Sequence, residues 1–66
     1  MKITLNGSTR EIDGNPAVKT LLDALKLKPE TVAVELNLAI VPKNEYDTSR
    51  LKEGDKIEII SFVGGG

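Results

Sequence analysis

Gly64-Gly65-Gly66 closes this 66-residue sequence, and the composition of that run points to chemistry. Glycine has no side chain to bury and loses the most backbone freedom when fixed, so three in a row add little to a fold. A thread without Cβ atoms passes through a channel that any side chain would block. Its peptide groups stay open to recognition, and its end reaches a centre inside another protein while a folded body stays outside. Residues 63–66 are therefore expected to form a flexible C-terminal tail, with a free, accessible carboxylate on Gly66. A carboxylate is a poor electrophile, so acyl transfer from it first needs an acyl adenylate or an equivalent. A partner must supply the nucleotide site. The chain has no glycine-rich phosphate loop followed by Lys, and no helix N-terminus follows the glycines to hold an anion.

A frayed end or a linker remnant has the same glycine content. The residues just before the glycines argue otherwise. Ile60-Ser61-Phe62-Val63 runs straight into them without a Ser/Gly spacer. Phe62 and Val63 thus stand at the exit point, where exposed apolar anchors often dominate an interface. Simple core packing is the competing reading of Phe62.

Little other chemistry is available. The absence of Cys removes a disulfide, a thiolate nucleophile and a thiolate metal site. The absence of His removes the usual acid–base group near neutral pH. The Asp and Glu residues are scattered over turns and strand backs and read as solvated charge. No catalytic residue, metal site or bound cofactor is expected. Nine basic residues against ten acidic ones give a net charge of -1, unlike the positive field of a nucleic-acid binder. No apolar run approaches membrane-spanning length, and the opening Met1-Lys2-Ile3-Thr4-Leu5 lacks the apolar stretch of a signal peptide. A cytoplasmic protein that binds neither nucleic acid nor membrane is expected.

The elements that must carry such a tail are legible from periodicity. Residues 1–6 alternate apolar and polar, the period of a strand with one buried face. Asn6-Gly7 suits a tight hairpin turn, and Ser8–Asp13 reads as a polar returning strand. Asn15 is expected to cap a helix, with Pro16 in its first position. Val18, Leu21, Leu22 and Leu25 then recur at i, i+3, i+4 and i+7, the core face of a helix of two to three turns, which Lys28-Pro29-Glu30 is expected to end. Thr31–Leu36 forms a strand, Asn37 turns the chain, Leu38–Val41 returns as a short strand, and Pro42 stops it. Residues 43–50 read as a polar loop with a turn of 3₁₀ helix. Lys56–Phe62 is the last strand, apolar on both faces. The expectation is one α+β domain over residues 1–66, a small mixed sheet with one main helix across it. The first and last strands are compatible with a parallel pair at its centre.

Val32-Ala33-Val34-Glu35-Leu36-Asn37, Ile40-Val41-Pro42-Lys43, Leu51 through Ile60 with its Gly54-Asp55 turn, and Phe62-Val63-Gly64-Gly65-Gly66 together resemble the sulfur carrier family of thiamine biosynthesis. The similarity covers nearly the whole chain and is weakest over residues 8–20. It implies a ubiquitin-like β-grasp fold. It also implies that an ATP-dependent adenylating enzyme activates the carboxylate of Gly66. A sulfur-donor system drawing ultimately on cysteine then converts it to a thiocarboxylate, which thiazole synthase consumes. Gly65 and Gly64 would thread the partner's channel, and Phe62 would dock. Lys43 and Tyr46 stand where many members have Arg and Trp, departures confined to a surface loop. Three alternatives share the fold and differ in use: a molybdopterin-type sulfur carrier, a protein modifier joined to lysines, and an interaction domain without tail chemistry.

Overall fold

The computed structural model describes residues 1–62. Five strands form one sheet in the order β2-β1-β5-β3-β4. β1 (Lys2–Leu5) and β2 (Ser8–Glu11) make an antiparallel hairpin. β3 (Val32–Leu36) and β4 (Ala39–Ile40) make a second one. β5 (Lys56–Ser61) lies between the hairpins, parallel to β1 and antiparallel to β3. The parallel central pair is thus the one that periodicity allowed. One α-helix, α1 (Val18–Ala24), covers one face of the sheet. This is the α+β, β-grasp arrangement that the resemblance implies.

The core follows from the alternation. Ile3 and Leu5 of β1, Val32 and Val34 of β3, and Ile57 of β5 are buried against Val18, Leu21 and Leu22 of α1. Val41, Tyr46 and Leu51 close it from the long connection between β4 and β5. With so few aromatic residues, stability rests on aliphatic burial, about 1.5–3 kcal/mol for each fully buried side chain. Both hairpins turn on two residues of positive φ. These are Asn6 (48°) with Gly7 (83°), and Asn37 (53°) with Leu38 (73°), the signature of type I′ turns. The second turn puts a leucine where glycine is favoured.

Local expectations fail at both ends of α1. Ala17, not Asn15, is the N-cap residue, and no side chain caps the helix. The Asn15 amide instead donates to Leu51 O at 3.1 Å. Pro16 lies before the helix, and its carbonyl accepts the Leu51 N–H at 2.9 Å. Ala17 itself bridges Arg50. The loop before β5 therefore takes the groups that local reasoning assigned to the helix start. At the other end, α1 stops well before Pro29. Lys26 has φ 61°, its N–H donates to Asp23 O, and the Leu27 N–H donates to Leu22 O. This is a Schellman motif with lysine at the position that usually holds glycine. Pro29 instead opens a 3₁₀ turn, Pro29–Thr31. The remaining bounds contract slightly: the second strand ends at Glu11 and the fourth spans only Ala39–Ile40. The 3₁₀ turn expected after Pro42 is present at Lys43–Glu45.

Candidate functional site

β5 is the strand that precedes the glycine run in sequence. Among the described residues it is the one strand flanked by a strand from each hairpin. Its register against β3 continues to Val32↔Ser61, and the Phe62 N–H then donates to Thr31 O at 3.0 Å. The chain is held up to the residue before Val63. Val63, Gly64, Gly65 and Gly66 lie outside the described residues.

Alternation along β5 sends Ile57 into the core and turns Glu58, Ile60 and Phe62 toward the face without the helix. Phe62 is 63% exposed, Ile60 51% and Ile40 64%, so Phe62 is not a core residue. Ile60 sits opposite Ala33 on β3. Ala33, Ile40, Pro42, Lys43 and Phe62 line a shallow apolar cleft of about 170 Å³. Large apolar side chains left in water next to one another are more informative than the same residues scattered.

Lys43 orients the ring. Its ammonium donates to Pro29 O at 3.1 Å and Val32 O at 3.3 Å, which fixes it at the end of β3. It lies 5.5 Å from the Phe62 ring centroid, within the range of a cation–π contact. Sequence reasoning treated Lys43 as a detail of a surface loop. Its link to Phe62 depends on a fold that brings residues 43 and 62 together, and no local pattern signals it. The alternation that exposes Phe62 already implied the exposure of Ile60.

The other side of the tail's base is also built. Asn6 lies at the end of β1, and its side chain accepts the Ile59 N–H at 2.7 Å and donates to Ile59 O at 3.3 Å. An open groove of about 440 Å³ begins there, on the helix side, with Leu5, Leu25, Leu27 and Ile59 beneath and Arg10 at its margin. Among the described residues, no three His, Cys, Asp or Glu side chains group to hold a metal, and no helix is long and apolar enough to cross a membrane.

The candidate site is thus the end of the strand that precedes the glycine run in sequence, with an apolar patch beside it. The ThiS family model matches residues 3–66, including that run. The chain belongs to the ThiS family. A thiamine biosynthesis protein (ThiS) from Geobacter metallireducens, solved by crystallography, superposes with a TM-score of 0.85 at 39% identity, covering 100% of both chains. The sulfur carrier protein ThiS of Bacillus subtilis is 41% identical over 49 residues, 74% of each chain. A thiazole synthase from Paramagnetospirillum magneticum is 44% identical over all 66 residues, and the chain spans only 20% of its length. ThiS-family proteins are β-grasp carriers of thiamine biosynthesis that other enzymes act on, rather than catalysts.

Proposed function

We propose that this chain carries sulfur for thiazole formation in thiamine biosynthesis, with the carboxylate of Gly66 as the carrying group. The observation that supports it most is the continuity of the central strand β5 into Phe62-Val63-Gly64-Gly65-Gly66, within a family match that runs to residue 66. A Gly66 carboxylate oxygen attacks the α-phosphorus of ATP in an adenylating partner. Pyrophosphate leaves, and the acyl adenylate forms. Hydrosulfide released by the donor system attacks the acyl carbon, the C–O bond to AMP breaks, and loss of the S–H proton leaves a thiocarboxylate. That sulfur is more nucleophilic than a carboxylate oxygen, and its tether to a protein body raises its effective concentration at the acceptor. Thiazole synthase is the acceptor enzyme in this reading. A relative of that name contains a segment similar to this whole chain within one polypeptide, which favours the pairing.

Gly64 and Gly65 enter the partner's channel. Phe62 and Val63 meet the channel mouth, and the exposure of Phe62 supports its part in docking. Nothing in the chain needs an acid–base group of its own, in keeping with the absence of His and Cys.

The test is an intact mass after incubation with ATP, an adenylating enzyme that acts on ThiS-family carriers, and a sulfur donor. Replacement of one oxygen by sulfur, mapped to Gly66 by fragmentation, is the expected result. Higher-mass conjugates would mark a protein modifier instead. An unchanged mass beside a partner that loads another ThiS carrier would overturn the reading. The chain lacking Gly66 should fold and dock yet take no sulfur.

A further inference from the structure

Asn6-Gly7 turns the first hairpin, and the pair carries a chemistry of its own. The nitrogen that follows Asn6 belongs to a glycine, so no side chain shields it, and the space a Cβ would take at Gly7 is open to 4 Å. Once hydroxide takes the Gly7 N–H proton, that nitrogen can attack Cγ of the Asn6 amide. A C–N bond forms and the bond from Cγ to Nδ2 breaks. Nδ2 takes a proton from water and leaves as ammonia. Water then opens the succinimide at either carbonyl, giving aspartate or isoaspartate. The sum is water gained and ammonia lost, with no redox step. The other asparagines are poorer candidates. Asn15 precedes Pro16, which has no N–H to give up. Asn37 precedes a leucine, and its amide is held by the Lys56 N–H at 2.9 Å and by Asp55 Oδ1 at 3.0 Å. The nitrogen after Asn44 is that of Glu45, which donates to Pro42 O at 2.9 Å.

The fold opposes the reaction at Asn6. Its Oδ1 accepts the Ile59 N–H at 2.7 Å and its Nδ2 donates to Ile59 O at 3.3 Å. Both bonds must break before Cγ can meet the Gly7 nitrogen. β5 need not move, because its pairing with β3 runs through Val34↔Ile59 and beyond. The opening is a local swing of one exposed side chain, and the same swing uncovers the Ile59 N–H. We infer that Asn6-Gly7 is a site of spontaneous deamidation, and that release of the Asn6 amide from Ile59 sets its rate in the native protein. Two ordinary hydrogen bonds slow the reaction about 5–150-fold relative to the unfolded chain. The products weaken the hairpin. Aspartate keeps the acceptor for the Ile59 N–H but sets a carboxylate oxygen against Ile59 O, where a donor stood. Isoaspartate adds a carbon to the main chain inside the two-residue turn that fixes the register Leu5↔Ser8. Either product adds one negative charge to a chain of net charge -1.

The test holds the full chain at mildly alkaline pH, native and in denaturing urea, and follows both by peptide mass mapping. The chain has no Gln, and ring closure at Asp13-Gly14 takes back the water it releases, so a mass gain reports asparagine alone. The first gain is expected at Asn6 in both samples, about 5–150-fold slower in the native one. Because one swing frees both groups, the slowing should be at least as large as the hydrogen-exchange protection of the Ile59 N–H in the native protein. Asn6→Asp, which fixes one product, should fold and melt below wild type. A first gain at Asn37 or Asn44 in urea, or none at Asn6, would overturn the assignment of the site. Equal rates in the native and unfolded samples, a slowing smaller than the protection of Ile59, or an Asn6→Asp protein that melts no lower than wild type would overturn the control by Ile59.

Discussion

Phe62→Ala separates docking from packing because the ring is only partly covered in the free chain. Burying a phenylalanine fully is worth about 1.5–3 kcal/mol. Phe62 is 63% exposed, so folding has realised roughly a third of that, about 0.5–1 kcal/mol. The Lys43 ammonium at 5.5 Å adds about 0.5 kcal/mol for an exposed cation–π contact. The fold should therefore lose about 1–1.5 kcal/mol, a drop of about 4–12 °C in Tm for a domain of this size. The remaining two-thirds of the ring is available to a partner. Covering it is worth about 1–2 kcal/mol, or about 5–30-fold in Kd for the adenylating enzyme. Urea unfolding gives the first quantity, and titration of the carrier into the enzyme without ATP gives the second. A stability loss of about 3 kcal/mol or more, the range for a buried phenylalanine, with an unchanged Kd would refute the reasoning.

Three further outcomes are expected. Lys26→Gly should stabilise the protein by about 0.5–1 kcal/mol, since it relieves left-handed strain of about 1–2 kcal/mol against the entropic cost of glycine; Lys28→Gly, at φ -86°, should destabilise it, and thermal melts of the pair give the two signs. Leu51→Ala, at a position with no exposure, should cost about 2–5 kcal/mol in chemical denaturation. Asn15→Ala should leave the helix content unchanged by circular dichroism, because no side-chain cap is lost, while lowering Tm through the bond to Leu51 O.

Periodicity sufficed wherever a residue's fate depends on which face it occupies. Ile3 and Leu5, the Val18, Leu21 and Leu22 stripe, and Val32 and Val34 are all buried as their spacing requires. The same alternation made β5 apolar on both faces but left Phe62 open between core and surface, and only the helix-free face of the sheet decides it, with the ring 63% exposed. What escaped the sequence depends on contacts between distant residues or on strained backbone. Asn15 and Pro16 look like a helix start, yet both are held by Leu51, far along the chain. Lys26 and Leu38 occupy left-handed conformations that their residue types disfavour, so neither the end of α1 nor the Asn37-Leu38 turn is signalled by a glycine. At the tail's base, Phe62 and the glycines were visible as types and spacing. The carbonyls that hold Lys43, and the amide of Asn6 on Ile59, needed three dimensions.

The placement of β5 has a consequence for partly folded forms of the protein. Among the described residues the two hairpins share no strand pairing with each other, and β5 is the strand that pairs with both. Thr4 and Lys56, which pair across the centre, are far apart in sequence, so joining the halves awaits the segment nearest the glycines. A molecule whose final strand has not yet inserted lacks both the joined sheet and the launching point for residues 63–66. In the carrier reading proposed above, insertion of β5 both completes the scaffold and sets where the glycine run begins, and an enzyme that engages both would discriminate against immature copies without a separate check.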